Sequence, residues 1–273
     1  YNRIEAYQYN LSHDLKVQTI EKVICNFEQL TNQKQYYPTA EYLALIKDLI
    51  NFYCNSSLIE LDSKLLSSYK KQSDLGAKIL ELLSNEKKVL AHIKHILSAM
   101  KNKIIDATHD FYLKMFFLNK RISSNLGYDL ILIDEAQDIS DVMIGVVESQ
   151  NCRRIYVGDS FQQIYSFRFA TNALNKIDLP SYDLSKSFRF GDNFAKILAN
   201  DLNKLYELKS NYKLKITGIE ETTLIGKNHI DLKRPFCVIS RTTFGLIQQL
   251  IHFIHDKKKI YFEGGYNSYS FMN

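Results

Sequence analysis

Short apolar runs that end in acids or turn residues recur in the second half of this sequence. They are LILID at 130–134, RIYVGD at 154–159, PFCVIS at 235–240 and KIYFEGG at 259–265. Helical patterns separate these runs, and strands of a parallel sheet read as near-continuous apolar runs of this kind. We therefore predict an α/β fold whose parallel strands are buried on both faces.

The residues before Gly127 predict helices, because Gly76 and Pro38 are the only glycine and proline among them. Apolar residues recur at helical spacing in three segments there, and a fourth such segment follows later. These are VQTIEKVICNFEQL from Val17, YPTAEYLALIKDLINFY from Tyr37 with Thr39 as its cap, LGAKILELLSNEKKVLAHIKHILSAM from Leu75, and DNFAKILANDLNKLYEL from Asp192. We expect an N-terminal α-helical subdomain.

Composition narrows the class of protein. The apolar fraction of 45% supports a sizeable core, and the net charge of +5 fits an anionic partner such as nucleic acid without requiring one. The four cysteines form no CxxC pair, so neither a zinc site nor a disulfide framework is indicated. No apolar run approaches the roughly 20 residues of a membrane helix. We expect no membrane partner, and a cytoplasmic (nucleoid-associated) or nuclear location rather than secretion.

Asp134 and Glu135 come directly after the first apolar run. Ligands of open α/β sheets bind at this place, at the carboxyl ends of the strands. One carboxylate could hold Mg²⁺ while the other positions the water that attacks a nucleotide. Alternatively, Asp134 caps the next helix and Glu135 lies in its first turn, where acids interact favourably with the helix dipole. The two residues alone leave both interpretations open.

The segment VGDSFQQIYSFRFA, at 157–170, adds aromatic and basic groups. The amide of Gln162 could contact a phosphate. Tyr165 and Phe167, beside Arg168, could form a stacking platform for unpaired bases. The alternative is a strand whose rings fill a core, the commoner place for Tyr and Phe.

The segment LSKSFRFGDN, at 184–193, places Arg189 between Phe188 and Phe190. This arginine could be a solvated residue at the start of a helix. It could also be an arginine finger, which stabilises the charge on a leaving phosphoryl group.

LIDEAQD, GDSFQQIYSFR and LSKSFRF, in this order and at these separations, resemble consecutive motifs of the UvrD-like superfamily 1 DNA helicases. Within this superfamily, the F-box DNA helicase branch is the one that five segments resemble most: THDFYLKMF, QQIYSFR, SFRFG, VISRTTFG and KKIYFEGG. The resemblance covers roughly residues 108–273. The preceding residues match the family's inserted helical subdomain only by their position in the chain and by their helical sequence pattern.

This resemblance implies ATP and Mg²⁺ as cofactors and assigns roles in nucleotide hydrolysis. Asp134 would bind Mg²⁺, and Glu135 would activate the hydrolytic water. Gln162 would sense the γ-phosphate and couple it to DNA. Phe188 would pack on adenine, and Arg189 would contact the γ-phosphate as the finger.

The resemblance also implies a DNA site and a direction of movement. Tyr165 and Phe167 would stack on single-stranded bases, with Arg168 beside them. The partner would be single-stranded or partly duplex DNA, with movement from 3′ to 5′, and no protein partner is indicated. The family usually has glycine after this arginine, but Phe169 stands here. We expect this ring to tighten the DNA groove or to alter the turn.

The fold implied is a set of partial RecA-like (P-loop NTPase) motor domains with a parallel sheet, plus the helical subdomain. We expect the helical insertion over residues 1–107, the C-terminal half of the first RecA-like domain over 108–205, and the start of the second over 206–273.

A phosphate-binding loop of the form GxxxxGKS or GxxxxGKT is missing from the sequence, since the only Gly-Lys pair is Gly226–Lys227 and it lacks the pattern. The first residue is Tyr1 rather than Met. We therefore expect an internal fragment of an ATP-dependent DNA helicase, inactive by itself. The alternatives are a nucleic-acid-binding or regulatory module that has lost ATP hydrolysis, and a helicase–nuclease fusion whose nuclease lies outside this window.

Overall fold

The chain forms two compact units, Tyr1–Pro180 and Ser181–Asn273. The computed structural model describes residues 9–32, 35–72, 76–119, 126–164, 169–206, 214–226, 231 and 233–265. Both units combine helices with short parallel strand pairs, so the predicted mixed α/β class is confirmed. The predicted three-part division, with boundaries after residues 107 and 205, stays a prediction.

Helices predominate among the described elements of the first unit, and strands and helices alternate in the second. In the first unit they are β1 (Leu11–Ser12), α1 (Val17–Asn32), α2 (Ala40–Asn55), α3 (Ser63–Gln72), α4 (Ala77–Leu82), α5 (Glu86–Lys101), β2 (Ala107–Thr108), α6 (His109–Leu118), β3 (Leu130–Ile133), α7 (Asp141–Glu148) and β4 (Arg153–Tyr156), with 3₁₀ turns at Ala136–Asp138, Ser160–Gln162 and Ala173–Asn175. In the second unit they are β5 (Lys186–Gly191), α8 (Asp192–Tyr206), β6 (Thr217–Ile219) and α9 (Thr243–His255). No helix of the described ranges is both long and apolar enough to cross a membrane.

The predicted N-terminal helices are present, with one correction. The hydroxyl of Thr39 accepts a hydrogen bond from the Tyr42 amide at 3.3 Å and so caps α2, as its sequence predicts. The third predicted helix is in fact two, α4 and α5. The side chain of Asn85 accepts the Lys88 amide at 3.2 Å and starts a new helix at Glu86, because a cap of this kind satisfies amides that a continuous helix would bond internally.

The helices enclose one apolar core, and its polar members are paired. His92 is 1% exposed. Its Nδ1 lies 2.8 Å from the Tyr42 hydroxyl, and its Nε2 lies 2.8 Å from Glu28 Oε1. Burial lowers the pKa of His92, outweighing the opposing influence of Glu28. A neutral ring with its proton on Nε2 fits both partners, because the carboxylate can only accept and the hydroxyl can donate. One imidazole thereby joins α1, α2 and α5.

A buried lysine fastens α6 to the end of α2. Lys114 is fully buried, and its Nζ donates to the carbonyl oxygens of Ser56 at 2.7 Å and Leu58 at 2.5 Å. Burial lowers the pKa of Lys114 to about 8. Carbonyls at a helix C-terminus favour a cation, so the pairing offsets part of the cost of burying the charge.

Strands β3 and β4 pair in parallel, with Leu130 opposite Arg153 and Ile133 opposite Tyr156. Both were predicted as strands, but the predicted burial on both faces is wrong. Exposed and half-buried positions alternate along each strand, and one face is exposed at Leu130, Leu132 and Ile155. Successive side chains of a strand point to opposite faces. Among the described residues, the other face is covered where Ile133 and Tyr156 pack against a small buried apolar cluster.

The second unit departs further from the predicted strand pattern. PFCVIS and KIYFEGG are not strands. A strand needs a neighbour for its backbone hydrogen bonds, and no described strand pairs with either run. Instead, β5 pairs in parallel with β6, and neither of these two strands was predicted from the sequence. Helix α8 follows β5 directly, as its apolar spacing predicts.

Acid should destabilise the helical part through His92. The pKa of His92 is lower in the folded chain than in the unfolded chain. As the pH falls, the unfolded chain therefore takes up the proton before the folded chain does. The stability contributed by neutral His92 is therefore complete above its ordinary pKa of about 6.5 and is lost as the pH falls below that value. We expect the urea midpoint to fall between about pH 7.5 and pH 5.5, and to fall less in His92→Gln, which keeps one donor and one acceptor without titrating. Parallel curves for the two proteins would contradict this role.

Candidate functional site

The carboxyl ends of β3 and β4 lie side by side. The Val157 amide donates to the Ile133 carbonyl at 2.7 Å, and the Ala136 amide donates back to the Val157 carbonyl at 2.9 Å. These bonds continue the pairing one step past both strands. The residues after β3, Asp134 and Glu135, are therefore next to those after β4, Gly158 and Asp159.

The turn after β3 separates the two acids from any helix. Glu135 has a left-handed backbone, with φ 51° and ψ 44°, and its amide donates to Asp134 Oδ1 at 3.0 Å. Both side chains are exposed. The next element is only the 3₁₀ turn Ala136–Asp138, and Glu135 precedes it without capping it. The alternative of a helix cap followed by a first-turn acid is therefore wrong here, and the strained turn presents both carboxylates to solvent.

A residue without a predicted role connects the two strand ends. Gln137 is 1% exposed. Its Nε2 donates to Glu135 Oε2 at 2.7 Å, and its Oε1 accepts the Asp159 amide at 3.0 Å. One sign of this role is present in the sequence, because Gln137 follows Glu135 by two residues in DEAQD. Its other partner, the Asp159 amide, is brought near only when β3 pairs with β4. Gln137 thus orients Glu135 against the neighbouring strand end.

Gly158 makes this close approach possible. A Cβ at this position would lie 2.4 Å from Gln137 Oε1 and 2.9 Å from the Ala136 nitrogen. Real Cβ atoms do not approach other atoms so closely, and the second neighbour is backbone that cannot swing away. Glycine is therefore needed at position 158 for a steric reason: the close contact forms only in the tertiary structure.

Gln162 joins the same group of side chains. Its Nε2 donates to Asp159 Oδ2 at 2.7 Å, while Asp159 Oδ1 accepts the Phe161 amide at 2.9 Å. Hydrogen bonds therefore run from Glu135 through Gln137 and Asp159 to Gln162. We name these four residues the acid–amide chain. These bonds link Glu135 to Gln162 through two intermediate residues, and the shared nucleotide site that the sequence assigned to the two stays a prediction.

Tyr165, Phe167 and Arg168 lie outside the described residues. Phe169, the next described residue, has a left-handed backbone with φ 59°. Its ring packs against Phe52 of α2, with centroids 5.3 Å apart at an interplanar angle of 66°. Glycine is the residue that adopts such a φ most easily, so Phe169 combines a strained turn with an added contact.

Phe188 and Arg189 both project from β5 into solvent. Phe188 is 76% exposed, and Arg189 is also exposed. Two neighbours on a regular strand would face opposite sides, but the pairing register shifts between Lys186 and Gly191, and such irregularities re-aim side chains. Arg189 thus lies within a strand and not at a helix start. It belongs to the other compact unit, so its place beside Asp134 stays a prediction.

The acids have the chemistry of a partial metal site. The described ranges contain no group of three or more His, Cys, Asp or Glu residues that could hold a metal ion by themselves. Mg²⁺ usually takes one or two protein carboxylates and completes its shell with water and phosphate oxygens. The exposed carboxylate of Asp134 fits that requirement.

Comparison with known proteins gives a consistent result. The sequence profile of the UvrD/REP helicase N-terminal domain matches residues 2–177. The chain is 37% identical over 147 residues to F-box DNA helicase 1 of Gallus gallus, covering 52% of this chain and 13% of that protein. It is 33% identical over 189 residues to F-box DNA helicase protein 1 of Schizosaccharomyces pombe, covering 65% and 20% respectively. The chain spans a fifth or less of the length of these curated relatives.

Gly158→Ala should destabilise the first unit, because the new methyl group collides with Gln137 and with backbone. Overpacking of this kind costs about 1–3 kcal/mol in free energy of unfolding. Gly76→Ala is the matched control, since a Cβ there meets nothing within 4 Å, and we expect it to change stability by less than about 0.5 kcal/mol. Urea titration of both variants measures the difference. Equal midpoints would show that the strand ends do not require the close approach.

Proposed function

This chain belongs to the UvrD/REP helicase family, and we propose that it is part of an ATP-dependent DNA helicase that couples Mg-ATP hydrolysis to 3′–5′ movement on single-stranded DNA. The observation that carries the proposal is the acid–amide chain, which links a strand-end carboxylate, Glu135, to the amide of Gln162. Two of its relatives are named DNA helicases, which supports DNA as the substrate of the proposed function.

In the proposed mechanism the two acids have different tasks. Asp134 holds Mg²⁺, which neutralises charge on the phosphates when it is bound. Glu135 positions the attacking water and takes its proton. Gln137 donates a hydrogen bond to Oε2 of Glu135, so we assign the proton uptake to Oε1. The left-handed turn at Glu135 keeps the two carboxylates apart from a helix and in contact with solvent.

Gln162 is the proposed link between nucleotide and DNA. Its amide is held by Asp159, at one end of the acid–amide chain. It lies three residues before Tyr165, the first of the proposed DNA-stacking residues. If the amide of Gln162 turned toward a γ-phosphate, its hydrogen bond to Asp159 would weaken and the chain at Gln162 would be free to move.

The second compact unit contributes the proposed adenine and finger contacts. Phe188 offers an exposed ring of the kind that stacks on a base, and Arg189 beside it offers a guanidinium to the γ-phosphate. The proposed fold is RecA-like, with β3 and β4 as neighbouring strands of a parallel sheet whose carboxyl ends carry the nucleotide. Because the sequence has no phosphate-binding loop, we expect hydrolysis only in a protein that supplies one.

Glu135→Gln in the full-length protein should keep nucleotide binding and remove most ATP hydrolysis, because an amide cannot take the proton. The expected loss in kcat is about 10²- to 10⁴-fold. Asp134→Ala should instead weaken binding of the Mg²⁺–nucleotide complex. Phosphate release and nucleotide affinity are measured for both, with Glu60→Gln, the same change at an exposed position in the helical part, as control.

Unchanged hydrolysis by Glu135→Gln would show that this acid is misassigned. A full-length protein that binds single-stranded DNA but hydrolyses no ATP even with the wild-type residues would support the alternative, a nucleic-acid-binding or regulatory module that has lost hydrolysis.

Phe167→Ala should weaken single-strand binding about ten- to a hundredfold, since stacking contributes roughly 1–3 kcal/mol per base. Phe167→Trp should retain binding because the contact needs a ring of any kind. The chain contains no tryptophan, so the indole introduced there also reports oligo-dT binding by its fluorescence in this chain. A Phe167→Ala protein that melts earlier yet binds DNA normally while folded would place this ring in a core.

A further inference from the structure

The part of β5 that carries Phe188 and Arg189 is not regularly paired with β6. The two paired positions of β5, Lys186 and Gly191, have partners on β6 that are only two residues apart, so residues 187–190 face a single residue. Extra residues on one strand of a pair interrupt its ladder of hydrogen bonds and re-aim its side chains. We name residues 187–190 the β5 bulge. Its position depends on how its two ends are held.

The end of the bulge at Gly191 is held by Thr223, a residue that follows β6. The Gly191 amide donates to Thr223 Oγ1 at 2.6 Å. Gly191 is buried, and a Cβ at this position would overlap the carbonyl oxygen of Glu221. The two segments therefore approach each other so closely that only glycine fits, and the hydroxyl of Thr223 fixes the last residue of β5.

The side chain of Asn193, in the first turn of α8, holds the same residue. Its Oδ1 accepts the Thr223 amide at 3.0 Å, and its Nδ2 donates to the Thr223 carbonyl oxygen at 2.8 Å. A side-chain amide that binds both backbone groups of one residue satisfies them as a neighbouring strand would. Three hydrogen bonds thus join Thr223 to the end of β5 and the start of α8. We name Gly191, Asn193 and Thr223 the β5 anchor.

We propose that Asn193 and Thr223 are positioning residues for a bound nucleoside triphosphate, because the β5 anchor sets the place of Phe188 and Arg189 on the β5 bulge. The proposal rests on the nucleotide contacts proposed above for those two side chains. A guanidinium stabilises the charge that develops on a phosphoryl group only where it is already in place. A displacement of about 1 Å can lower the rate about a hundredfold, so the anchor affects hydrolysis without touching the nucleotide.

Steady-state ATP hydrolysis by the full-length protein tests the anchor. Asn193→Ala and Thr223→Val remove its side-chain hydrogen bonds, and we expect each to lower kcat about ten- to a hundredfold. Arg189→Ala should lower kcat about a thousandfold. Adding Asn193→Ala to Arg189→Ala should lower it no further, because the anchor acts through that arginine. Thr223→Ser keeps the hydroxyl and should keep the wild-type kcat.

Helix α8 contains a matched control for the effect of stability alone. Asn203 makes the same two-way contact with Leu214: its Oδ1 accepts the Leu214 amide at 2.7 Å, and its Nδ2 donates to the Leu214 carbonyl oxygen at 3.1 Å. This contact lies near the other end of α8, away from β5. Asn203→Ala should lower the melting temperature about as much as Asn193→Ala and leave kcat unchanged.

Amide hydrogen exchange without nucleotide tests the anchor independently of hydrolysis. In Thr223→Val the Gly191 amide loses its acceptor, so it should exchange about two- to tenfold faster, the factor that corresponds to the net free energy of one hydrogen bond. In Asn203→Ala it should exchange at the wild-type rate. Mass spectrometry of a peptide that contains Gly191 measures both.

Wild-type kcat in folded Asn193→Ala and Thr223→Val would overturn the proposal, and so would losses that add fully to that of Arg189→Ala. Unchanged exchange of the Gly191 amide in Thr223→Val would also overturn it. If Asn193→Ala does not fold, Thr223→Val compared with Thr223→Ser decides. Wild-type kcat in Arg189→Ala is a different result, because it shows that this arginine is not the finger, and the proposed function of Arg189 then fails together with the anchor proposal.

Discussion

The buried amide of Gln137 is the interaction on which the candidate site depends. It donates to Glu135 after β3 and accepts from the Asp159 amide after β4. A buried amide that loses a partner costs about 1–3 kcal/mol, so the two strand ends are coupled: moving either one leaves Gln137 unsatisfied. Gly158 permits the approach by having no Cβ. The position of Glu135 therefore follows from the pairing of β3 with β4.

The helical part is connected to this strand pair within one compact unit. Lys114 holds α6 to the end of α2, and Phe169 packs on Phe52 of that same helix. Helix α2 and the turn that follows it are thus contacted by Lys114, which precedes β3, and by Phe169, which follows β4.

The local patterns of the sequence were sufficient for most helices and for β3 and β4. Helical apolar spacing and a good cap such as Thr39 act within a few residues, so they can be read without knowing the fold. Asn85 shows the limit of that approach, because a cap inside a longer apolar pattern divides the helix. PFCVIS and β5 show a larger limit. An apolar run becomes a strand only if another strand accepts its hydrogen bonds, and the partner of β5 is the unremarkable stretch Thr217–Ile219.

The sequence by itself determined the order and the chemistry of the motifs: paired acids after an apolar run, an amide after the next, and an arginine between two phenylalanines. That information is sufficient for membership of the helicase family, because it depends on residue types and separations. Tertiary structure alone decided that Gln137 bridges Glu135 and Asp159, that Gly158 leaves room for it, and that Phe169 reaches Phe52. Each of these contacts joins residues that only folding brings together, and so no pattern along the chain specifies them.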